Sequence, residues 1–440
     1  MPDHARSTDA AVQAQLDRLW ALSPRTDVLG LERITHLLAR LGDPHHHLPP
    51  AFHVAGTNGK GSTCAFLRAG LEAAGYRVHV YTSPHLVRFN ERIRISGRLI
   101  DDPALAALLS EVLDQAGDIG ASFFEVTTAA AFLAFARTPA DACIVEVGLG
   151  GRLDATNVIP APVACGIAQL GIDHQAFLGS DPVGIAREKA GIARPNVPLV
   201  TLAYPAEIGR AVTEIAEQAG APVLAQSNDW HIDASGTILT YRDAHGTLAL
   251  SHPALHGPYQ ADNLGLATAM LRHQHALAVP AQAYEAMPGD TRWPARMQRL
   301  DDTGPLVRRL PAERRRHGVW LDGAHNPAAA AAIAGQWGEC APTTLVIGML
   351  ANKDAAAILS ALVTPACAVV AVPVPGHDHH PPAALAAQAR SLGARDATTA
   401  ASIETAIDIV ADDALARSVL IAGSLYLAGD VLAANDEYPD

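Results

Sequence analysis

The sequence predicts an α/β protein of two domains: a P-loop domain with a mainly parallel sheet, then a smaller Rossmann-like α/β C-terminal domain. Three observations carry this. Short apolar runs, each followed by a helical pattern, recur along most of the chain, as buried parallel strands and crossover helices do. A glycine-rich turn, Gly56-Thr-Asn-Gly-Lys-Gly-Ser62, joins one such run to a helix. The chain has 440 residues, long for one core, and residues 288–296 are punctuated by Pro and Gly. The expected division is 1–290, a linker at 291–297, and 298–440.

Residues 8–41 read as helices joined by Ser23-Pro-Arg-Thr-Asp27, with apolar positions 31, 34, 37 and 38 on one face. His45, His46 and His47 precede Leu48-Pro-Pro50. Three adjacent histidines cannot all face one metal from a regular element, so this stretch is expected to be a linker. An apolar run over 50–54 leads through the glycine turn to a helix over 62–74, which Gly75 stops. A strand over 76–81 ends in Thr82-Ser-Pro-His-Leu86; a helix follows at about 103–115. Residues 123–135 are apolar almost all round and predict a buried helix. The stretch 142–157 reads as a buried strand opening into a glycine turn, and a strand over 164–170 ends in the polar turn 171–174. Further strands fall at 197–201 and 221–225, antiparallel hairpins within 231–250, and a helix at 258–276. Beyond the linker, apolar strands near 319, 344–350, 367–372 and 418–424 alternate with Ala-rich helices, the first begun by Pro327. The basic run 308–316 is expected to be a solvated loop, and His377-Asp-His-His380 a polar loop starting a helix.

Composition excludes several classes. Apolar residues make up 49% and charged ones 18%, as in a soluble globular protein. The net charge of −13 argues against non-specific nucleic-acid binding and requires local basic pockets for any anionic substrate. Five scattered cysteines without a C-x-x-C read as reduced core residues of a cytoplasmic protein. No apolar run reaches membrane-span length, and residues 1–17 carry no signal-peptide pattern. No nucleic-acid or membrane partner is expected, and the chain is expected to be a monomer.

The glycine turn departs from the usual P-loop spelling, because Gly56 lies three residues before Gly59 and Gly61 separates Lys60 from Ser62. Its strand and helix flanks still make it a phosphate cradle, with Lys60 on the outer phosphates and Ser62 near a magnesium ion or phosphate oxygen. Ser83 lies just past a strand end, where a hydroxyl can ligate magnesium or simply start a turn. Arg88, Arg92 and Arg94 could hold a carboxylate or form a solvated face. Glu146 sits inside an apolar strand, where an unpaired carboxylate is expensive. Magnesium is one answer to that, and a protonated or salt-bridged structural Glu is another. His174 lies just past the next strand. Ser83, Glu146 and His174 thus stand at three successive strand ends around one P-loop. Lys189 sits among small residues of a helix on which a structural Lys would usually be exposed.

These stretches, with Glu146-Val-Gly-Leu-Gly-Gly-Arg-Leu-Asp-Ala-Thr-Asn157, Asp173-His174 and Arg187-Glu-Lys-Ala-Gly191, occur in an order and at separations that resemble folylpolyglutamate synthases. The likeness is closer to the bacterial bifunctional type that is also dihydrofolate synthase, and it spans about 25–430. The resemblance implies that Thr57, Asn58, Gly59, Lys60, Gly61 and Ser62 hold the phosphates of ATP. It further implies that Ser83 and Glu146 bind one Mg2+, that Glu146 and His174 bind a second, and that Lys189 is carbamylated, with room for a monovalent cation. Asn263, Arg296, Asp322 and His325 match nucleotide contacts. Asp27, Val28 and Leu29, Ser122, Phe123, Phe124 and Glu125, and Leu153, Asp154 and Ala155 match the pterin region. The implied reaction joins L-glutamate to dihydropteroate and to tetrahydrofolate polyglutamates through an acyl phosphate. Lys60, Glu146, His174 and Lys189 are the implied catalytic set. The related Mur ligases share this chemistry, but the Gly-Lys-Gly-Ser form and Leu153-Asp-Ala-Thr-Asn157 separate the chain from them. A P-loop binding module without ligase activity leaves Glu146, His174 and Lys189 unused.

Overall fold

The apolar runs of the first part of the chain become strands of one sheet. The computed structural model describes residues 6–22, 29–337, 344–415 and 417–440. Its first sheet contains Ala51–Ala55 (β1), Val78–Tyr81 (β2), Ile93–Ile95 (β3), Arg98–Leu99 (β4), Ala142–Glu146 (β5), Ala164–Ile167 (β6), Leu199–Thr201 (β7) and Val223–Ala225 (β8). Their order is β4-β3-β2-β5-β1-β6-β7-β8. Pairs from β2 through β8 are parallel, while β3 and β4 add antiparallel strands at one edge. Every residue of β1, β5 and β6 is buried, because helices cover both faces of a central parallel strand. That double burial is why these strands show continuous apolar runs and not alternation.

Cys143 and Val145 of β5 join a core with helices Ala10–Leu22, Glu32–Arg40, Asp102–Ala116 and Phe123–Arg137. Cys165 and Ile167 of β6 extend a core under helices Pro182–Ala190 and Ala206–Ala219. The intervening Gly166 turns the other way, towards Met270 of helix Tyr259–His273, where a Cβ would come within 2.4 Å of the sulfur. These residues belong to a compact unit, Met1–Ala254 with Tyr259–Arg292.

The alternating segment folds as a separate antiparallel sheet of Trp230–Asp233 (β9), Leu239–Asp243 (β10) and Gly246–Leu250 (β11), in the order β11-β10-β9. Asp243 ties it to helix Tyr259–His273, accepting from Nε and Nη2 of Arg272 at 2.7 Å each and from the Tyr241 hydroxyl at 3.0 Å. Burial alone would push the Asp243 carboxyl up, but these donors and the His245 N–H hold it below the ordinary range. Its stabilising contribution is therefore present above the ordinary carboxylate range and is lost as pH falls through the depressed value. Asp243→Ala leaves the largely buried Arg272 without its partner. A loss of about 3 kcal/mol is expected in urea unfolding.

The second unit is Leu255–Pro258 with Trp293–Asp440. Its sheet contains Gln298–Arg299 (β12), Val319–Leu321 (β13), Thr344–Ile347 (β14), Ala368–Ala371 (β15), Asp396–Thr399 (β16) and Val419–Ala422 (β17), in the order β12-β13-β17-β14-β15-β16. All pairs are parallel except β12 with β13. Gly423 closes β17 at φ 112°, and a Cβ there would stand 2.5 Å from the Gly348 carbonyl oxygen. Gly423→Ala should destabilise this unit by about 2 kcal/mol or more, read as a lower thermal midpoint.

Several sequence expectations need correction. Pro288, Gly289 and Asp290 are not linker but the last turn of helix Ala281–Asp290. Met287 of that turn packs on Gly70, and the Pro288 carbonyl accepts from Ala254 N–H at 2.9 Å, so tertiary contacts outweigh the breaker residues. The β3–β4 hairpin was missed although Ser96 and Gly97, both at positive φ, form its turn. The short edge strands β12 and β16 were missed as well. In the basic run, Arg309 pairs with Asp408, and Arg314 donates to the Val410 and Ala411 carbonyls, so these two side chains are tethered to helix Ile403–Asp412. The stretch 377–380, by contrast, is the polar loop expected before a helix: His380 Nε2 lies 2.9 Å from the Lys353 carbonyl, just before helix Pro382–Ser391.

Candidate active site

The strand order sets the site. β2, β5, β1 and β6 are consecutive neighbours, and the C-terminal ends of parallel strands point one way. Ser83 follows β2, Glu146 ends β5, the glycine loop follows β1, and His174 lies beyond β6.

The loop needs its glycines. Gly59 has φ 82° and precedes helix Lys60–Ala73. A Cβ on Gly59 would fall 2.4 Å from Oδ1 of buried Asn263, and one on Gly56 would fall 2.9 Å from the Ala168 Cβ. The Thr57 and Asn58 N–H groups donate to the Gln169 carbonyl at 2.8 and 3.1 Å, and the Thr57 hydroxyl to the Gly171 carbonyl at 2.8 Å. These bonds lock the loop to the end of β6. The N–H groups of Lys60, Gly61 and Ser62, in the first helical turn, have no intrahelical acceptor and present a positive helix end.

Glu146 is 4% exposed. Its Oε1 lies 3.9 Å from Lys60 Nζ, and its Oε2 accepts from the Ser83 N–H at 3.2 Å. Thr57, Lys60, Gly148, Asp173, His174 and Lys189, among others, line a small recess. His174 adopts φ 54° with its N–H on Asp173 Oδ1 at 2.8 Å. Asp173 was missed as a site residue, although it directly precedes His174.

Lys189 is 4% exposed and donates to the Gly56 carbonyl at 3.0 Å. Burial, with the nearby Lys60 charge, lowers its pKa to about 7, against the opposing pull of Asp173 and Asp154. Its helix is held to the glycine turn after β5. Arg152 pairs with Glu188 at 2.7 Å, and Gly151 packs on the Glu188 and Lys189 backbone.

Asp154, 3% exposed, accepts from the Leu149 N–H at 2.8 Å and the Thr156 N–H at 3.0 Å, which shapes that turn. Phe124 lies over the same turn, and a Cβ on Gly148 would come within 2.3 Å of its ring. Phe123 is instead turned into the core, 5.4 Å from Trp20 and 6.0 Å from Phe89. Ser122 and Glu125 form a capping box, and Arg33 Nε donates to Glu125 Oε2 at 3.0 Å. Glu125 Oε1 is buried with no hydrogen-bond partner among the described residues. Leu29 is half-buried, Leu153 half-buried and Ala155 buried; Asp27 and Val28 lie outside the described residues. The three arginines do not form one cluster. Arg92 is buried over Phe89 and Phe123 with Nε on His85, Arg94 binds the Gly97 carbonyl, and Arg88 is exposed.

In the second unit, Asp322 is 5% exposed and accepts from the Met297 and Ala324 N–H groups, both at 2.8 Å. Burial raises its pKa, against the lowering effect of Arg296. His325 Nδ1 lies 2.8 Å from the Gly323 carbonyl. Arg296, Asp322 and His325 thus gather around one turn, while Asn263 belongs to the first unit.

A family model described as "Dihydrofolate synthetase, C-terminal domain" matches residues 308–434. The chain is 37% identical over 353 residues to an Escherichia coli dihydrofolate synthase/folylpolyglutamate synthase, covering 78% of each chain. The solved structure of E. coli FolC in complex with DHPP and ADP superposes with a TM-score of 0.85 at 33% identity, covering 98% of this chain and 99% of that one. A bifunctional folylpolyglutamate synthase/dihydrofolate synthase with Mn, AMPPNP and L-glutamate bound gives a TM-score of 0.81 at 31% identity, covering 97% and 99%. The glycine loop with strand-end Ser83, Glu146 and His174, on a chain this similar over nearly its whole length, places it in the dihydrofolate synthase/folylpolyglutamate synthase family.

Proposed function

We propose that the chain is an ATP-dependent ligase that adds L-glutamate to dihydropteroate, making dihydrofolate, and to tetrahydrofolate and its polyglutamates. The observation that carries this is the β2-β5-β1-β6 order, which sets Ser83, Glu146, the glycine loop and His174 side by side. A carboxylate is a poor acyl donor because oxide leaves poorly. Its oxygen attacks the γ-phosphorus of ATP, the bond to ADP breaks, and an acyl phosphate forms. The glutamate amine then attacks the acyl carbon, a proton leaves the nitrogen, and phosphate departs. Lys60 and the N–H groups of residues 60–62 hold the phosphates in place.

The donor set fits a divalent cation: a hydroxyl, a buried carboxylate and an imidazole at adjacent strand ends. Ser83, Glu146 and His174 would hold it, and when bound it neutralises phosphate charge. We assign Asn263, Arg296, Asp322 and His325 to the nucleotide, and Phe124, Glu125 and the 153–155 turn to the pterin. Glu125 Oε1 is the acceptor that a ring N–H would satisfy. Residues 1–290 carry phosphate and folate chemistry, and 298–440 form the second domain. Cys64, Cys143, Cys165 and Cys367 are free and buried, in keeping with a cytoplasmic enzyme. Among the described residues no helix is long and apolar enough to cross a membrane.

Phosphate release from ATP tests the reading, with glutamate plus dihydropteroate, tetrahydrofolate or a muramoyl precursor. Release is expected with the two pteridines only. Release with the muramoyl compound alone would move the chain to Mur chemistry, and none with any acceptor would end the ligase reading.

A further inference from the structure

We infer that Asp43, His45 and His46 form a second metal site, for one divalent transition ion of the zinc type, separate from the ATP site. The sequence alone argued against it by counting only histidines; the turn supplies a different third donor. Gly42 and Asp43 both take positive φ, 81° and 53°, and reverse the chain after helix Glu32–Arg40. Pro44–His46 then forms a 3-10 turn, with the His46 N–H on the Asp43 carbonyl at 3.0 Å. Asp43, in a left-handed conformation, caps this turn, and its carboxylate meets the two imidazoles that follow. One donor atom from each of the three lies within 4.8 Å of the others.

A second observation points to a ligand. His45 is 7% exposed, and its buried Nδ1 has no hydrogen-bond partner among the described residues. A buried ring nitrogen is normally satisfied. The His45 and His46 rings are 4.1 Å apart, centroid to centroid. Asp43 and His46 are exposed, so an ion can enter from solvent and keep water in its remaining position. Two imidazoles with one carboxylate favour zinc over the magnesium used at the phosphate loop. The bound ion would pin the turn that leads into β1.

Zinc binding to the full chain tests this, measured by competition with a chromophoric chelator in excess magnesium. One zinc per chain is expected, with affinity at least tenfold weaker in both His46→Ala and Asp43→Asn. Asparagine tolerates the left-handed backbone at 43, and both side chains are exposed, so metal-free melting temperatures should match the parent. His174→Ala should keep the zinc. Because the chain has 20 histidines, diffuse uptake is the competing outcome. Equal zinc affinity in parent and His46→Ala, or loss of zinc in His174→Ala alone, would overturn the assignment.

Discussion

Replacing Glu146 by alanine is expected to reduce folate- and glutamate-dependent ADP release by about 10³-fold or more, the scale reached when one preorganised charge partner of a phosphoryl or acyl transfer is removed. The carboxylate is 4% exposed, ends β5 within 3.9 Å of Lys60 and accepts the Ser83 N–H. Removing it takes away the only carboxylate of the assigned cation set and leaves Lys60 without that counter-charge. Glu146→Gln separates chemistry from folding, because the amide keeps the shape and can still accept from Ser83. Its expected result is an unchanged melting temperature with activity as low as in Glu146→Ala. If Glu146 were only the structural partner of Lys60, stability would fall and residual activity per folded molecule would stay high. Near-normal turnover in the glutamine variant would sink the cation assignment.

How much of this was legible depends on the length scale. The strands that frame the site could be read because double burial makes them short apolar runs, and the run that begins at Ala142 begins where the strand Ala142–Glu146 does. A ligand-capable side chain in or just past such a run stands out, which is why Ser83, Glu146 and His174 are the residues assigned to the cation. Side-chain direction was not legible. Phe123 and Phe124 are neighbours of one type, yet one enters the core and the other covers Gly148, because adjacent positions on a helix point to different faces. Arg92 could equally have been surface; its burial depends on its near neighbours His85 and Phe89 and on Phe123 from a distant helix. The turn at Asp43 escaped because a left-handed aspartate changes which neighbours can meet, and no periodicity reports that. The helix through Pro288 was missed because its support, Gly70, is far away in sequence.

Lys189 is expected to act as a carbamate, so activity should require carbon dioxide and fall as pH drops below about 7. The reasoning begins with charge. A protonated ammonium at this position is buried and faces Lys60, and both effects lower its pKa, to about 7. At neutral pH the amine is therefore often uncharged and nucleophilic. Its nitrogen can bond to the carbon of CO2, releasing a proton, and the product is an anion where a cation was disfavoured. Below the depressed pKa the amine stays protonated and cannot react, which sets the direction of the pH effect. The same shift makes folding stability rise with pH between about 7 and the ordinary lysine value, since the unfolded chain binds the extra proton there. Lys189→Ala should lower turnover by about 10²-fold, the scale of a lost supporting group at a metal centre. Short carboxylates such as acetate should restore part of it, which a purely structural lysine would not allow. A carbamate resonance after exposure to 13C-bicarbonate, absent in Lys189→Ala, would identify the group directly. Full activity in CO2-depleted buffer, with no such resonance, would leave Lys189 as a neutral amine holding the Gly56 carbonyl.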